Sequence, residues 1–77
     1  MIVKFIDVGR NKRTWEATCP ASNFNDIEYG WLYSQVKKRA FIMSEEIEFI
    51  MLKGSATEGF ITAGFHTIGK FEIRKGN

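Results

Sequence analysis

The stretch "GFITAGFHTIGKFEI", residues 59–73, decides the fold of this 77-residue chain. Read in fives it becomes GFITA, GFHTI and GKFEI, with glycines at 59, 64 and 69, each close to a phenylalanine. It could be a repeat, a phosphate-cradling loop, or sheet punctuated by bends. Parity separates the three. Ile61, Ala63, Phe65, Phe71 and Ile73 occupy odd positions and are apolar, whereas Thr62, His66, Lys70, Glu72 and Arg74 occupy even positions and are polar. That is the period of a half-buried strand, interrupted around Thr67–Gly69. As one straight strand the stretch would span about 50 Å, too long for so small a domain. Two strands joined by a turn near Thr67–Gly69 are therefore expected, with Gly64 allowing a bulge or close packing. Phe65, Phe71 and Ile73 are expected in the core.

The other two readings fail on physical grounds. A spacing of five carries glycine to alternate faces, and three copies of five residues fall short of a solenoid repeat. A phosphate loop gathers backbone N–H groups before a helix, as in patterns ending in Gly-Lys-Ser/Thr. Here Gly69 and Lys70 are followed by Phe71 and more strand.

Upstream, "IVKFIDV" (2–8) is β-branched and aromatic, and apolar on both parities, as suits a strand covered on much of both faces. "GRNK" (9–12) has turn chemistry. "RTWEATC" (13–19) alternates, with Trp15, Ala17 and Cys19 on the apolar side. The two strands read as a hairpin, closed off by Pro20.

"SNFNDIEYGWLYSQVKKRAF" (22–41) reads as a helix. Ser22, Asn23 and Asn25 are candidate N-caps, and Asn25 with Glu28 resembles a capping box. Asp26 and Glu28 suit the start of the helix, and Lys37, Lys38 and Arg39 its end. Tyr29, Leu32, Tyr33, Val36 and Ala40 define one face, with Phe24, Ile27 and Trp31 on another. Gly30 either permits close packing or marks a later helix start. Phe41–Met43 is either the end of the helix or a small extra strand. "SEEIEFIMLKG" (44–54) has the caps of a helix, but its alternation and shortness favour a strand.

The expected architecture is thus a single α+β domain over residues 1–77. An antiparallel sheet of about five strands carries one helix, in the order β-β-α-β-β-β. A chain this short buries only about 60% of its unfolded surface, so its 44% hydrophobic and 14% aromatic residues must be used efficiently. Most of the seven Phe and at least one Trp are expected in the core.

Composition also narrows function. One cysteine excludes an internal disulfide, which favours a reducing, cytoplasmic setting. "MIVKFIDVG" is short and broken by Lys4 and Asp7, unlike a signal peptide, and no apolar run suits a membrane span. Cys19 and His66 are the only Cys and His. A Cys–His nucleophile oriented by Asp26 or Glu72 is formally available. Against it, Cys19 lies on the apolar parity of its strand and His66 on the polar parity of another. One Cys and one His also fall short of a metal ligand set. No enzyme activity, cofactor or metal is expected.

Three basic groups remain: Arg10, Lys12 and Arg13; Lys37, Lys38 and Arg39; and Lys70, Arg74 and Lys75. They can meet phosphates, with Trp15, Tyr29 or Trp31 to stack, although the net charge is only +2. Each also reads as ordinary surface: a polar turn, a helix end that complements the dipole, and a solvated edge. In element order, size and lack of catalytic residues the chain resembles several small phage-encoded inhibitors, including some anti-CRISPR proteins. That resemblance implies a compact protein whose function is to occupy a surface on something larger. The expected function is therefore a non-catalytic protein-binding module, with Arg10, Lys12, Arg13, Lys37, Lys38 and Arg39 as its contacts, or an unpaired sheet edge that receives a partner strand. Nucleic-acid binding through the same basic groups is the alternative.

Overall fold

In the computed structural model, which describes residues 1–21, 26–40, 42 and 46–74, the chain forms one five-stranded antiparallel sheet with one helix. The elements are β1 (Ile2–Val8), β2 (Arg13–Thr18), α1 (Tyr29–Arg39), β3 (Ile47–Met51), β4 (Glu58–Ala63) and β5 (His66–Arg74). The sheet order is β2-β1-β5-β4-β3. The N-terminal strand therefore lies inside the sheet, between β2 and the last strand.

Alternation sorts the strand residues into two faces. One carries Val3, Phe5, Trp15, Ile47, Ile61, Phe71 and Ile73, all buried. Helix α1 adds Leu32 and Val36 to this core. Phe5 stacks on Trp15 at 4.7 Å between centroids, and Phe49 meets Phe71 edge-on at 6.0 Å. Cys19, just past β2, is buried in the same cluster, and its N–H donates to the Met1 carbonyl at 2.8 Å. Among the described residues no helix lies over the other face, which carries Lys4, Ile6, Glu16, Ile50, Glu58, Phe60, Lys70 and Glu72.

Two glycines are small because the core leaves no room. A Cβ on Gly59 would lie 2.5 Å from the Ile50 carbonyl oxygen and from the Phe71 ring. A Cβ on Gly69 would lie 2.7 Å from Val8 Cγ2.

The β4–β5 turn differs from expectation. It lies at Gly64–Phe65, since Ala63 pairs with His66. Gly64 has φ +64 and Phe65 is not left-handed, the pattern of a two-residue hairpin loop with glycine first. The break in period around Thr67–Gly69 is instead a bulge. Ile61 pairs with Gly69 and Thr62 with Thr67, leaving Ile68 as the extra residue. Phe65 consequently sits on the turn and is wholly exposed, at 103% of its reference surface, rather than in the core. Phe71 and Ile73, beyond the bulge, are buried as expected.

The helix is shorter than the sequence suggests. It starts at Tyr29 with Glu28 as N-cap, which makes no side-chain capping bond. Ser22, Asn23 and Asn25 lie outside the described residues, as do Phe41 and Met43. Nothing comes within 4 Å of a Cβ built on Gly30, so this glycine marks the late start and not a close approach. The last turn carries Lys37, Lys38 and Arg39, where cations face the negative end of the dipole. Residues 47–51 are strand, as their alternation predicts. Among the described residues no helix is long and apolar enough to cross a membrane.

Candidate interaction surface

Antiparallel pairing of β1 with β5 brings the β1–β2 turn and the start of β5 to one end of the sheet. The Gly9 N–H donates to the Ile68 carbonyl at 3.0 Å. At this end lies an open depression of about 550 Å³, lined by residues that include Arg10, Lys12, His66, Lys70 and Ile42.

The turn that supplies Arg10 and Lys12 has a defined backbone. Asp7 (φ 50), Gly9 (φ 79) and Lys12 (φ 51) are left-handed, a conformation that costs a non-glycine residue roughly 1–2 kcal/mol. The Asp7 N–H donates to Thr14 Oγ1 at 3.1 Å and the Lys12 N–H to the Gly9 carbonyl at 3.2 Å. These bonds hold the turn in that shape. The neighbouring β4–β5 turn is held against the start of β3, where the Gly64 N–H donates to the Glu46 carbonyl at 3.0 Å. Phe65 is thereby presented on a short, fixed turn, next in sequence to His66 in the depression wall.

The three basic groups separate here. Arg10 and Lys12 meet Lys70 around the depression, whereas Arg13 is exposed outside it. From the helix end, Lys37 Nζ donates to the carbonyl of Ile42 at 3.3 Å, itself a lining residue. Lys38 and Arg39 are exposed and do not line the depression. Arg74 is far away, beside Ile2, and forms an ion pair with Glu16. Lys75 lies outside the described residues. Among the described residues no carboxylate forms a salt bridge with Arg10, Lys12 or Lys70. Among the described residues Asp7 is the one carboxylate that lines the depression with them.

Cys19 and His66 do not meet. Cys19 is bonded to Met1 at the end of the sheet where Ile2 faces Arg74. His66 starts the same strand eight residues earlier, about 26 Å away at roughly 3.3 Å per residue. Trp15 stacks inside the core and so is not an exposed platform. Among the described residues the exposed aromatic of this end is Phe65, which the sequence pattern assigned to the interior.

The chain matches no family model, no curated protein and no solved structure in three separate comparisons.

Proposed function

We propose that this protein is a non-catalytic binding module that docks onto a larger protein through the end of the sheet bearing Phe65. Inhibition of that partner, in the manner of the phage-encoded inhibitors it resembles, is the corresponding activity. The observation that carries this reading is Phe65 itself, wholly exposed on a fixed two-residue turn. An aromatic anchor on a rigid turn loses little conformational entropy on binding and fills a pocket well. The surrounding Arg10, Lys12, His66 and Lys70 suit an acidic rim around that pocket, where charge complementarity speeds and orients the encounter.

The test is capture from the native host with the wild-type chain and with Phe65→Ala in parallel. A partner protein retained by the wild type and lost by a folded Phe65→Ala chain is the expected result. A partner held equally by both would overturn the assignment.

Four cationic or imidazole side chains around one depression also support a second reading, a nucleic-acid contact. It requires saturable binding of single- or double-stranded DNA or RNA that weakens steeply with salt. The Lys12→Gln/Lys70→Gln double variant should flatten that salt dependence. No saturable binding at low salt would remove this reading.

A further inference from the structure

Among the described residues the sheet has two unpaired edge strands, β2 and β3, and they are built differently. In an antiparallel ladder each residue directs both backbone groups either to its neighbour or away from it, in alternation. The bonds from Gly64 N–H to the Glu46 carbonyl and from Leu52 N–H to the Glu58 carbonyl fix the phase along β3. Glu48 and Ile50 therefore face β4, while Ile47, Phe49 and Met51 direct their N–H and C=O groups outward. One of these outward groups is already occupied, because the Tyr29 hydroxyl donates to the Ile47 carbonyl. The phenol is held neutral by its surroundings: desolvation first, then Tyr33 and Glu48, raise its pKa above 10.0. The outward N–H and C=O groups of Phe49 and Met51 have no such cap among the described residues.

The opposite edge, β2, presents the exposed side chains of Arg13, Thr14, Glu16 and Thr18. Charges of this kind discourage strand addition. The β3 sequence IEFIM has no lysine and no proline. Its open face carries Ile50, 38% exposed, and Leu52 just beyond it, 44% exposed.

We infer that β3 is a self-pairing edge, on which a second copy of this chain adds its own β3 antiparallel to make a continuous ten-stranded sheet. The register follows from the groups that are free. Centring the two-fold on Ile50 places Phe49 of each copy opposite Met51 of the other, and the outward N–H and C=O groups of both residues, four in each copy, are then used. The Ile47 carbonyl, held by Tyr29, falls outside those four bonds. Ile50 meets Ile50 of the second copy in the closer, non-hydrogen-bonded kind of pair. Glu48 falls opposite Leu52, so no like charges face each other. Shifting the two-fold to Glu48 would oppose two carboxylates. An antiparallel pair about a two-fold axis also closes on itself, which limits assembly to a dimer.

The test uses the full chain in analytical ultracentrifugation from micromolar to millimolar concentration, with amide hydrogen exchange read residue by residue. The expected mass rises towards twice 8.9 kDa, and the Phe49 and Met51 amides become protected in step with it. Ile50→Lys sets two ammonium groups against each other across the axis and should abolish the dimer while melting as a folded monomer. Leu52→Glu, which sets a second carboxylate against Glu48 of the other copy, should weaken it, and Phe65→Ala should leave it intact. A chain monomeric at millimolar concentration overturns the inference. So does a dimer that survives Ile50→Lys or leaves the Phe49 and Met51 amides unprotected. Protection of those amides only when a different protein is added would assign the edge to that protein and likewise overturn it.

Discussion

Phe65 and Phe71 lie in one hairpin, six residues apart on the same parity, and have opposite fates. Phe71 is 1% exposed and packs against Phe49 and the space above Gly59. Phe65 stands in solvent on the turn. Between them lies the bulge at Ile68, one residue that resets which side of β5 faces the helix. The base of the hairpin is governed by packing, with its register fixed by what fits under the core. The tip is governed by backbone conformation, with its shape fixed by a left-handed glycine. A hydrophobic residue therefore means burial at the base and presentation at the tip.

The largest test of that contrast is Phe71→Ala, expected to cost about 3–5 kcal/mol as a buried aromatic truncation. Such a loss consumes much of a small domain's stability of roughly 5–10 kcal/mol, and denaturant titration reads it directly. Next is Gly59→Ala. The added methyl has nowhere to go between the Ile50 carbonyl and the Phe71 ring, and overpacking of this kind costs about 1–3 kcal/mol. Gly64→Ala meets no neighbour at all, so only its left-handed backbone matters, at about 1–2 kcal/mol. Thermal melts should place it between Gly59→Ala and the tip variants. The smallest effects belong to Phe65→Ala and Glu72→Ala, each within roughly ±0.5 kcal/mol. Glu72 sits on the open face between Lys4 and Glu58, where one favourable and one unfavourable neighbour offset each other. A destabilised Phe65→Ala would show that the tip packs after all. Equal melts for Phe71→Ala and Glu72→Ala would invert the two faces.

Much of the architecture was legible from side-chain alternation. The hairpin of Trp15, Ala17 and Cys19, the strand at 47–51 and the buried pair Phe71 and Ile73 all follow from period two. The turn was misplaced because a bulge and a turn interrupt that period in the same way. Gly69 lies where the pattern breaks, yet its role is to leave room for Val8. Gly64 lies in unbroken pattern, yet it makes the turn. The signal that distinguishes them is glycine at the first position of a two-residue loop, which alternation alone does not weigh. The interaction surface was less legible still. Arg10, Lys12 and Lys70 meet only because β1 pairs with β5, and no local periodicity reports a pairing across nearly the whole chain. For the same reason the sequence grouped Arg74 with Lys70, although β5 carries the two apart.

The place of β1 in the sheet also governs how the chain acquires its structure in time. Its partners are the nearby β2 and the distant β5, with Ile2 facing Arg74. Until the last strand arrives, one margin of β1 has nothing to bond to, and Val3 and Phe5 lack the cover of Phe71 and Ile73. Early hairpins are thus available, but the pairing that joins β2 and β1 to the rest of the sheet must close a loop of almost the full length. Contacts so far apart in sequence slow folding and make it all-or-none. Without β5 the sheet would fall into two separate hairpins, β1–β2 and β3–β4, each marginal at best in water on its own.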